Sequence, residues 1–370
     1  MKKQGDAKVK QPGNAGTGDD YVVITGGAGF IGTNLAHRLL SEGHNVLILD
    51  NLSRRGTENN LRWLLDTHGN KVRVRVDDVR NGMAFKGIIG KAKAVYHFAA
   101  QVAVTTSVVD PIDDFKVNCN GTLNLLEEIR ASENRPPLIF TSTNKVYGSM
   151  SDIDVRRNQS RYAPVDPQIR KSGVSEKQNL EFYSPYGCSK GAADQYILDY
   201  SRIYRLPAAV FRMSCIYGPH QHGTEDQGWV AHFILCALQN QAITIYGDGM
   251  QVRDILFVND LVDALIRAWH SIDSVAGRAF NIGGGPSNTV SLLELMSNIR
   301  KMHGSLPQIC YSAWRPGDQK YYVSDTSRFR SLTGWSPETN VREGLKALYD
   351  WLVTERSLSE PSLTEREKVA

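Results

Sequence analysis

The sequence predicts a doubly wound α/β fold: a parallel sheet with helices on both faces and a smaller α/β domain interleaved after about residue 213. Three observations carry this reading. Apolar runs at 21–25, 45–50, 71–76, 94–98, 138–142 and 208–213 are continuous rather than alternating, as in strands covered on both faces. Between them, apolar residues recur at three- and four-residue spacing, most plainly over 31–42, 114–131 and 189–204, which predicts crossover helices. Beyond 213 the alternation weakens, and turn-rich segments at 218–228, 283–288 and 315–318 separate shorter elements.

With 370 residues the chain has room for roughly two domains. The larger is expected over 20–212, with 250–285 returning to it, and the smaller over 213–249 and 286–356. Residues 1–19 are too polar to bury the surface that offsets chain entropy and predict a disordered tail. A second polar tail, over 357–370, is expected to fray.

Composition narrows the function classes. No run approaches the roughly 18 apolar residues that a membrane-spanning helix needs. Lys plus Arg total 43 against 39 Asp plus Glu, a net charge of +4, and no dense basic block suggests a nucleic-acid groove. The five cysteines are odd in number, widely spaced and free of any C-x-x-C pair, which argues against a disulfide framework or a zinc site. His220 and His222, in PHQHG, have no cysteine or carboxylate cluster near them, so no metal is expected. The N-terminus has no apolar leader, and the expected location is the cytoplasm.

The first strand runs directly into glycines at 26, 29 and 32, in YVVITGGAGFIG, with a helix to follow. Glycines there permit a tight turn and let backbone N–H groups approach a pyrophosphate at the helix N-terminus. On the glycines alone, an ordinary strand-to-helix turn explains the segment equally well. Asp50 changes that balance, because it ends the second strand at the distance where a carboxylate reaches the adenosine ribose hydroxyls. A carboxylate would repel a 2′-phosphate, which favours NAD over NADP, although Arg54 and Arg55 lie close by. Asp78, after the third strand, is an adenine acceptor or a solvated strand-end carboxylate.

Tyr186 and Lys190 form Y-x-x-x-K, a spacing that puts both on one helical face at the start of the helix expected over 189–204. An ammonium beside a phenol would lower the tyrosine pKa toward neutrality, as a base acting on an alcohol requires. Thr143 ends the fifth strand at the edge where open parallel sheets bind ligands; it is a proton-sharing hydroxyl or a turn residue. Asn118 reads as a buried helix-cap residue or an orienter of the catalytic helix, with the structural role favoured. Thr105, Thr106 and Ser107 follow the fourth strand and are sugar contacts or a satisfied loop. Trp229 is a base-stacking residue or a core aromatic.

Taken in order, TGGAGFIG, DNLS, HFAAQ, TSTNKVYG and SPYGCSK resemble the extended short-chain dehydrogenase/reductase family of nucleotide-sugar epimerases and dehydratases, over about residues 20 to 355. The resemblance implies a Rossmann-type sheet and an NAD-dependent enzyme. Tyr186 would remove a hydroxyl proton, with Lys190 and Thr143 assisting. It implies cofactor contacts at Gly26, Gly29, Phe30, Ile31, Asp50, Asn51, Asp78, Val79, Ala99, Ala100, Gln101, Tyr186 and Lys190. Substrate contacts are implied at Thr105, Thr143, Asn144, Arg253 and Arg315, the two arginines holding a diphosphate.

Family dehydratases carry an acidic pair where this chain has Asn144 and Lys145, which disfavours sugar dehydration. Cys215 stands where relatives such as UDP-galactose 4-epimerases have asparagine. The stretches QVAVTTS, STNKVYG, SPYGCSKGAADQYILDYSRI and DQGWV resemble the family's CDP-hexose 2-epimerases. The implied reaction is oxidation of C2 to a ketone, followed by hydride return to the opposite face. A UDP-sugar 4-epimerase is the second enzyme reading, and a non-catalytic NAD-sensing or RNA-binding relative is the third. The helices over 114–131 and 189–204 either pair with their copies in a homodimer or homotetramer, as the resemblance implies, or pack only on the sheet.

Overall fold

The computed structural model describes residues 20–315 and 317–359. The tail expected over 1–19 lies outside the described residues. Of the tail expected from 357, residues 357–359 continue the last helix, Val341–Ser359, and the rest also lies outside.

Seven parallel strands form the main sheet, in the order Arg278–Ile282, Ala208–Met213, Leu138–Thr143, Ala92–His97, Tyr21–Thr25, Val46–Asp50 and Val72–Val76. Both faces are covered. Along the first strand Val22 and Ile24 face one core, with Leu35, Leu39, Leu261 and Leu265 of the helices on that side. Tyr21 and Val23 face the other, with Leu125, Ile129 and Ile197. The inner strands thus have apolar cover on both faces, the physical reason their sequences read as unbroken apolar runs. The edge strand Val72–Val76 instead alternates valine with arginine and is half exposed, a correction to the continuous run expected over 71–76.

The chain winds outward from Tyr21–Thr25 to Val72–Val76, then crosses back to place Ala92–His97 on the other side of the first strand. That reversal opens a crevice at the carboxyl ends of the strands, where open α/β sheets receive ligands.

The smaller body is built around Val252–Phe257, which pairs antiparallel with Thr289–Ser291 and parallel with Cys215–Tyr217 and Tyr321–Tyr322. Its core gathers Tyr217, Val230, Phe233, Ile255, Leu295, Leu345 and Leu348. Within 250–285, Val252–Phe257 therefore belongs to the small sheet, whereas helix Val258–His270 and strand Arg278–Ile282 lie against and within the large one.

The hairpin Val155–Asn158/Arg161–Pro164 departs from the expected boundary at 212, since it attaches to the smaller body. Tyr162 N donates to Met250 O at 2.9 Å and the Arg161 guanidinium grips Glu294.

Two helices also differ from expectation. The helix expected from 189 begins at Pro185, because the Ser184 hydroxyl accepts from Gly187 N at 3.2 Å and proline suits the first helical position. The helix expected over 114–131 starts at Pro111 and passes through a π turn at Lys116–Asn120 before Gly121–Ala131.

Candidate active site

One cleft of about 1160 Å³ runs from the glycine turn, past the end of strand Leu138–Thr143, into the smaller body. Of the residues named above as catalytic, cofactor or substrate candidates, all but Ser107 line it; Ser107 is fully buried, donates to Val104 O and accepts from Tyr186 N at 3.1 Å. At the glycine end, Gly26 has φ +67°, and a Cβ there would lie 2.7 Å from Ala99 N. Gly29 caps helix Phe30–Ser41 without a side-chain acceptor, so the first-turn N–H groups at Phe30 and Ile31 remain available to an anion. Asp50 accepts from Ala28 N at 3.0 Å and Leu52 N at 2.9 Å, which sets its carboxylate on the cleft wall. Burial pushes its pKa up while those two N–H bonds pull it down. A bare helix N-terminus beside a fixed carboxylate suits the pyrophosphate and ribose of a dinucleotide.

Asp78 is engaged differently from the adenine reading. Arg80 donates to both its oxygens, at 2.9 and 2.7 Å, and Asn51 Nδ2 donates at 2.8 Å. The Arg80 hydrogen bonds hold the carboxyl down at about 2. Gln101 presents backbone to the cleft, because its own amide bonds Ala103 O and Asp114. Arg54 turns toward the loop over 223–228 and donates to Gln227, and its charge bears on Tyr186.

Tyr186 and Lys190 lie on the first turns of helix Pro185–Tyr204, beside Thr143 at the strand end. Lys190 Nζ donates to Thr141 O at 2.7 Å and sits 4.1 Å from the centroid of Phe140. Burial opposes the expected effect of this ammonium on the phenol. Burial pushes Tyr186 up to about 12, with a Thr143 hydrogen bond and Arg54 opposing and Asp114 reinforcing. Burial likewise pushes Lys190 down to about 7, against the pull of Asp194 and Asp114. Desolvation of two fully enclosed groups outweighs their neighbours.

Asn118 does not cap a helix. It sits in the π turn, where Oδ1 accepts from Gln101 N at 2.9 Å and Nδ2 donates to Ser189 Oγ at 3.0 Å. With Asp114, which accepts from Ser189 at 2.5 Å, it braces the helix carrying Tyr186. Sequence reasoning missed Asp114 and Ser189; Ser189 lies beside Lys190, which was the available signal.

In the smaller body, Arg253 donates to Asp318 at 2.7 Å, and Arg315 stacks 3.9 Å over Tyr246 and approaches Asp226 at 3.3 Å. Asn144 Nδ2 donates to Gln319 at 3.3 Å, and Lys145 reaches Asp318 at 3.6 Å. The Thr105 hydroxyl is buried on the wall with no hydrogen-bond partner among the described residues. Trp229 and Cys215 also meet there, the indole N–H lying 3.3 Å from Sγ. His220 packs on Trp63 at 4.2 Å, and among the described residues no cluster of three or more metal-ligating side chains forms.

The comparisons agree with this geometry. The chain is similar to a CDP-paratose 2-epimerase of Salmonella typhi, 41% identical over 343 residues that span 89% of this chain and 98% of the relative. It is similar to a UDP-glucose 4-epimerase of Mycolicibacterium smegmatis at 31% identity, over 87% and 95% of the two chains. Among solved structures, the Thermus thermophilus UDP-glucose 4-epimerase in complex with NAD superposes with a TM-score of 0.74 at 29% identity, over 90% of this chain and 99% of that one. With residues 22–283 matching the model of the NAD dependent epimerase/dehydratase family, the protein belongs to that family and is an NAD-dependent enzyme of nucleotide-sugar chemistry.

Proposed function

We propose that the protein inverts C2 of a CDP-hexose by transient oxidation to the ketone and return of hydride to the opposite face. The observation that carries the reading is the turn after the fifth strand: Thr143 stands beside Tyr186 and Lys190, while Asn144 and Lys145 occupy the next two positions. Elimination from a sugar needs a carboxyl acid and base in that turn, whereas reversible hydride transfer needs a phenol, an ammonium and a hydroxyl. The Salmonella typhi relative supports the CDP-sugar assignment.

NAD, when bound, accepts a hydride from the sugar carbon and gives it back. In this reading the first-turn N–H groups of helix Phe30–Ser41 hold the pyrophosphate and Asp50 the adenosine ribose. Tyr186 acts from its phenolate form, which the cationic nicotinamide of bound NAD would favour against the burial described above, taking the proton from the C2 hydroxyl and returning it to the same oxygen when the ketone is reduced. The Thr143 hydroxyl shares that proton. Lys190 stays on the Thr141 carbonyl and fixes the phenol's surroundings. Arg253 and Arg315 neutralise the diphosphate, and Thr105 and Asn144 offer hydrogen bonds to the sugar. The large body thus serves the cofactor and the small body the nucleotide. We place the enzyme in the cytoplasm as a homo-oligomer, in which exposed Val109, Ile112 and Phe115 meet a second copy.

Incubation with CDP-paratose, CDP-glucose and UDP-glucose in D₂O, read by NMR, tests this. Inversion at C2 without solvent deuterium is expected. Inversion at C4 of UDP-glucose would replace the reading with the 4-epimerase one, and deuterium at C5 would replace it with dehydration. Tyr186→Phe should keep NAD bound while turnover falls by about two to four orders of magnitude.

A further inference from the structure

Gln251 immediately precedes strand Val252–Phe257 and lines the cleft, although only 4% of the residue is exposed. Its amide nitrogen donates to Tyr246 O at 2.8 Å. A backbone carbonyl can only accept, so this bond settles which end of the amide is which and leaves Oε1 as the uncommitted end. That oxygen is buried and has no hydrogen-bond partner among the described residues. A buried acceptor without a donor is costly, and native proteins keep few of them.

The surroundings indicate what the donor belongs to. Side chains alternate along a strand, so Gln251 projects to the same side as Arg253, about 7 Å away. Tyr246, whose carbonyl fixes Gln251, carries the Arg315 guanidinium over its ring. Trp229 and Phe233 line the same cleft. Gln251 therefore lines the same stretch of cleft as the two arginines assigned to the diphosphate, with aromatic walls that suit a nucleoside.

We propose that Gln251 Oε1 accepts a hydrogen bond from the nucleoside half of the substrate. The donor is an O–H or N–H group, supplied by a ribose hydroxyl or by the 4-amino group of cytosine. The inference rests on the nucleotide-diphosphate reading above and deepens it. Should the amino group be the source, Gln251 is a base-selecting residue, because uracil carries a carbonyl acceptor at that position.

Calorimetric titration of the NAD-loaded full chain with CDP, UDP and 2′,3′-dideoxy-CDP, for the wild type and Gln251→Met, tests it. Gln251→Met should weaken CDP binding by about 3- to 10-fold, the range for one neutral hydrogen bond. A loss shared by CDP and UDP but absent with the dideoxy nucleotide supports the ribose. A loss shared by CDP and its dideoxy form but absent with UDP supports the 4-amino group. Equal affinities of variant and wild type for all three overturn the inference and leave the nucleotide reading standing. A uniform loss across all three marks a merely structural role and also overturns it. A wild type that binds neither CDP nor UDP overturns the nucleotide reading itself. Gln251→Asn, which withdraws both amide ends by one methylene, gives the same contrast if the methionine variant does not fold.

Discussion

The helix that carries Tyr186 and Lys190 is anchored one turn further on by an enclosed ion pair, and cutting that pair should cost the protein a large part of its stability. Asp194 accepts from Arg212 Nε at 2.8 Å and from its terminal nitrogen at 2.9 Å, with 1% and 5% of the two side chains exposed. Arg212 also donates to the Tyr147 hydroxyl, which in turn donates to Asn281 at 2.7 Å. Asp194→Ala leaves a guanidinium buried without its counter-charge, a loss of about 3–5 kcal/mol for a pair of this kind. Against a total stability of about 5–15 kcal/mol, that is a large fraction. At roughly 2–4 °C per kcal/mol for a domain of about 200 residues, the melting temperature should fall by about 6–20 °C. Circular dichroism melts of the cofactor-stripped protein measure this without the stabilisation that bound NAD adds. The double variant Asp194→Leu, Arg212→Met removes both charges and should recover most of the loss. A single variant within about 1 kcal/mol of wild type, or a double variant no more stable than the single, refutes the argument.

Two further predictions concern the same region. Burial lowers Lys190 from its ordinary 10.5 to about 7, so the folded state disfavours the ammonium. Its contribution to stability is greatest above pH 10.5 and is lost as the pH falls through about 7. Relative to Lys190→Met, the wild type should therefore lose melting temperature between about pH 10 and pH 7, and a flat difference curve rules this out. Gly32→Ala would set a Cβ 2.4 Å from Gly26 O and 2.6 Å from Gly27 Cα, atoms of backbone that cannot step aside cheaply. The helix should shift off the glycine turn at a cost of about 1–3 kcal/mol, and the purified variant should retain less NAD; full NAD content contradicts it.

How much was legible in the sequence depended on whether the determining forces were local. Five of the six expected strands were readable because they are enclosed on both faces and so lack polar alternation, and the sixth, Val72–Val76, because its valines alternate with arginines at a half-exposed sheet edge. The start of the catalytic helix was misplaced by four residues because Pro185 marks the first turn and Ser184 the cap, a signal carried by two residues and not by apolar periodicity. The hairpin over 155–164 falls inside the span 20–212 expected for the larger body. Its partners, Met250, Thr289 and Glu294, are contributed from more than 80 residues away. Motif order found Thr143, Tyr186 and Lys190; Gln251 and Asp318 lie inside the GDGMQVRDILFVND and RPGD stretches that supplied Arg253 and Arg315. Asp114, by contrast, belongs to no short pattern and is defined by its contacts with Ser189, Gln101 and Asn118.

The charge state of the phenol lies beyond any motif for the same reason. Y-x-x-x-K places an ammonium near Tyr186, yet the ammonium is spent on the Thr141 carbonyl and the face of Phe140. Below the helix, Asp114 is enclosed, accepts from Ser189, Gln101 and Asn118, and raises the proton affinity of both Tyr186 and Lys190. Above it, Thr143 and Arg54 lower that of the phenol. Arg54 is held by Gln227, and the neighbouring Asp226 and Glu225 hold Arg315 and the Tyr246 hydroxyl. A single short loop thus links the cation that acts on the phenol to the arginine assigned to the diphosphate. Burial of the phenol is the largest of these influences, so the Tyr-Lys spacing supplies its position while enclosure, tuned by Thr143, Asp114 and Arg54, sets its proton affinity.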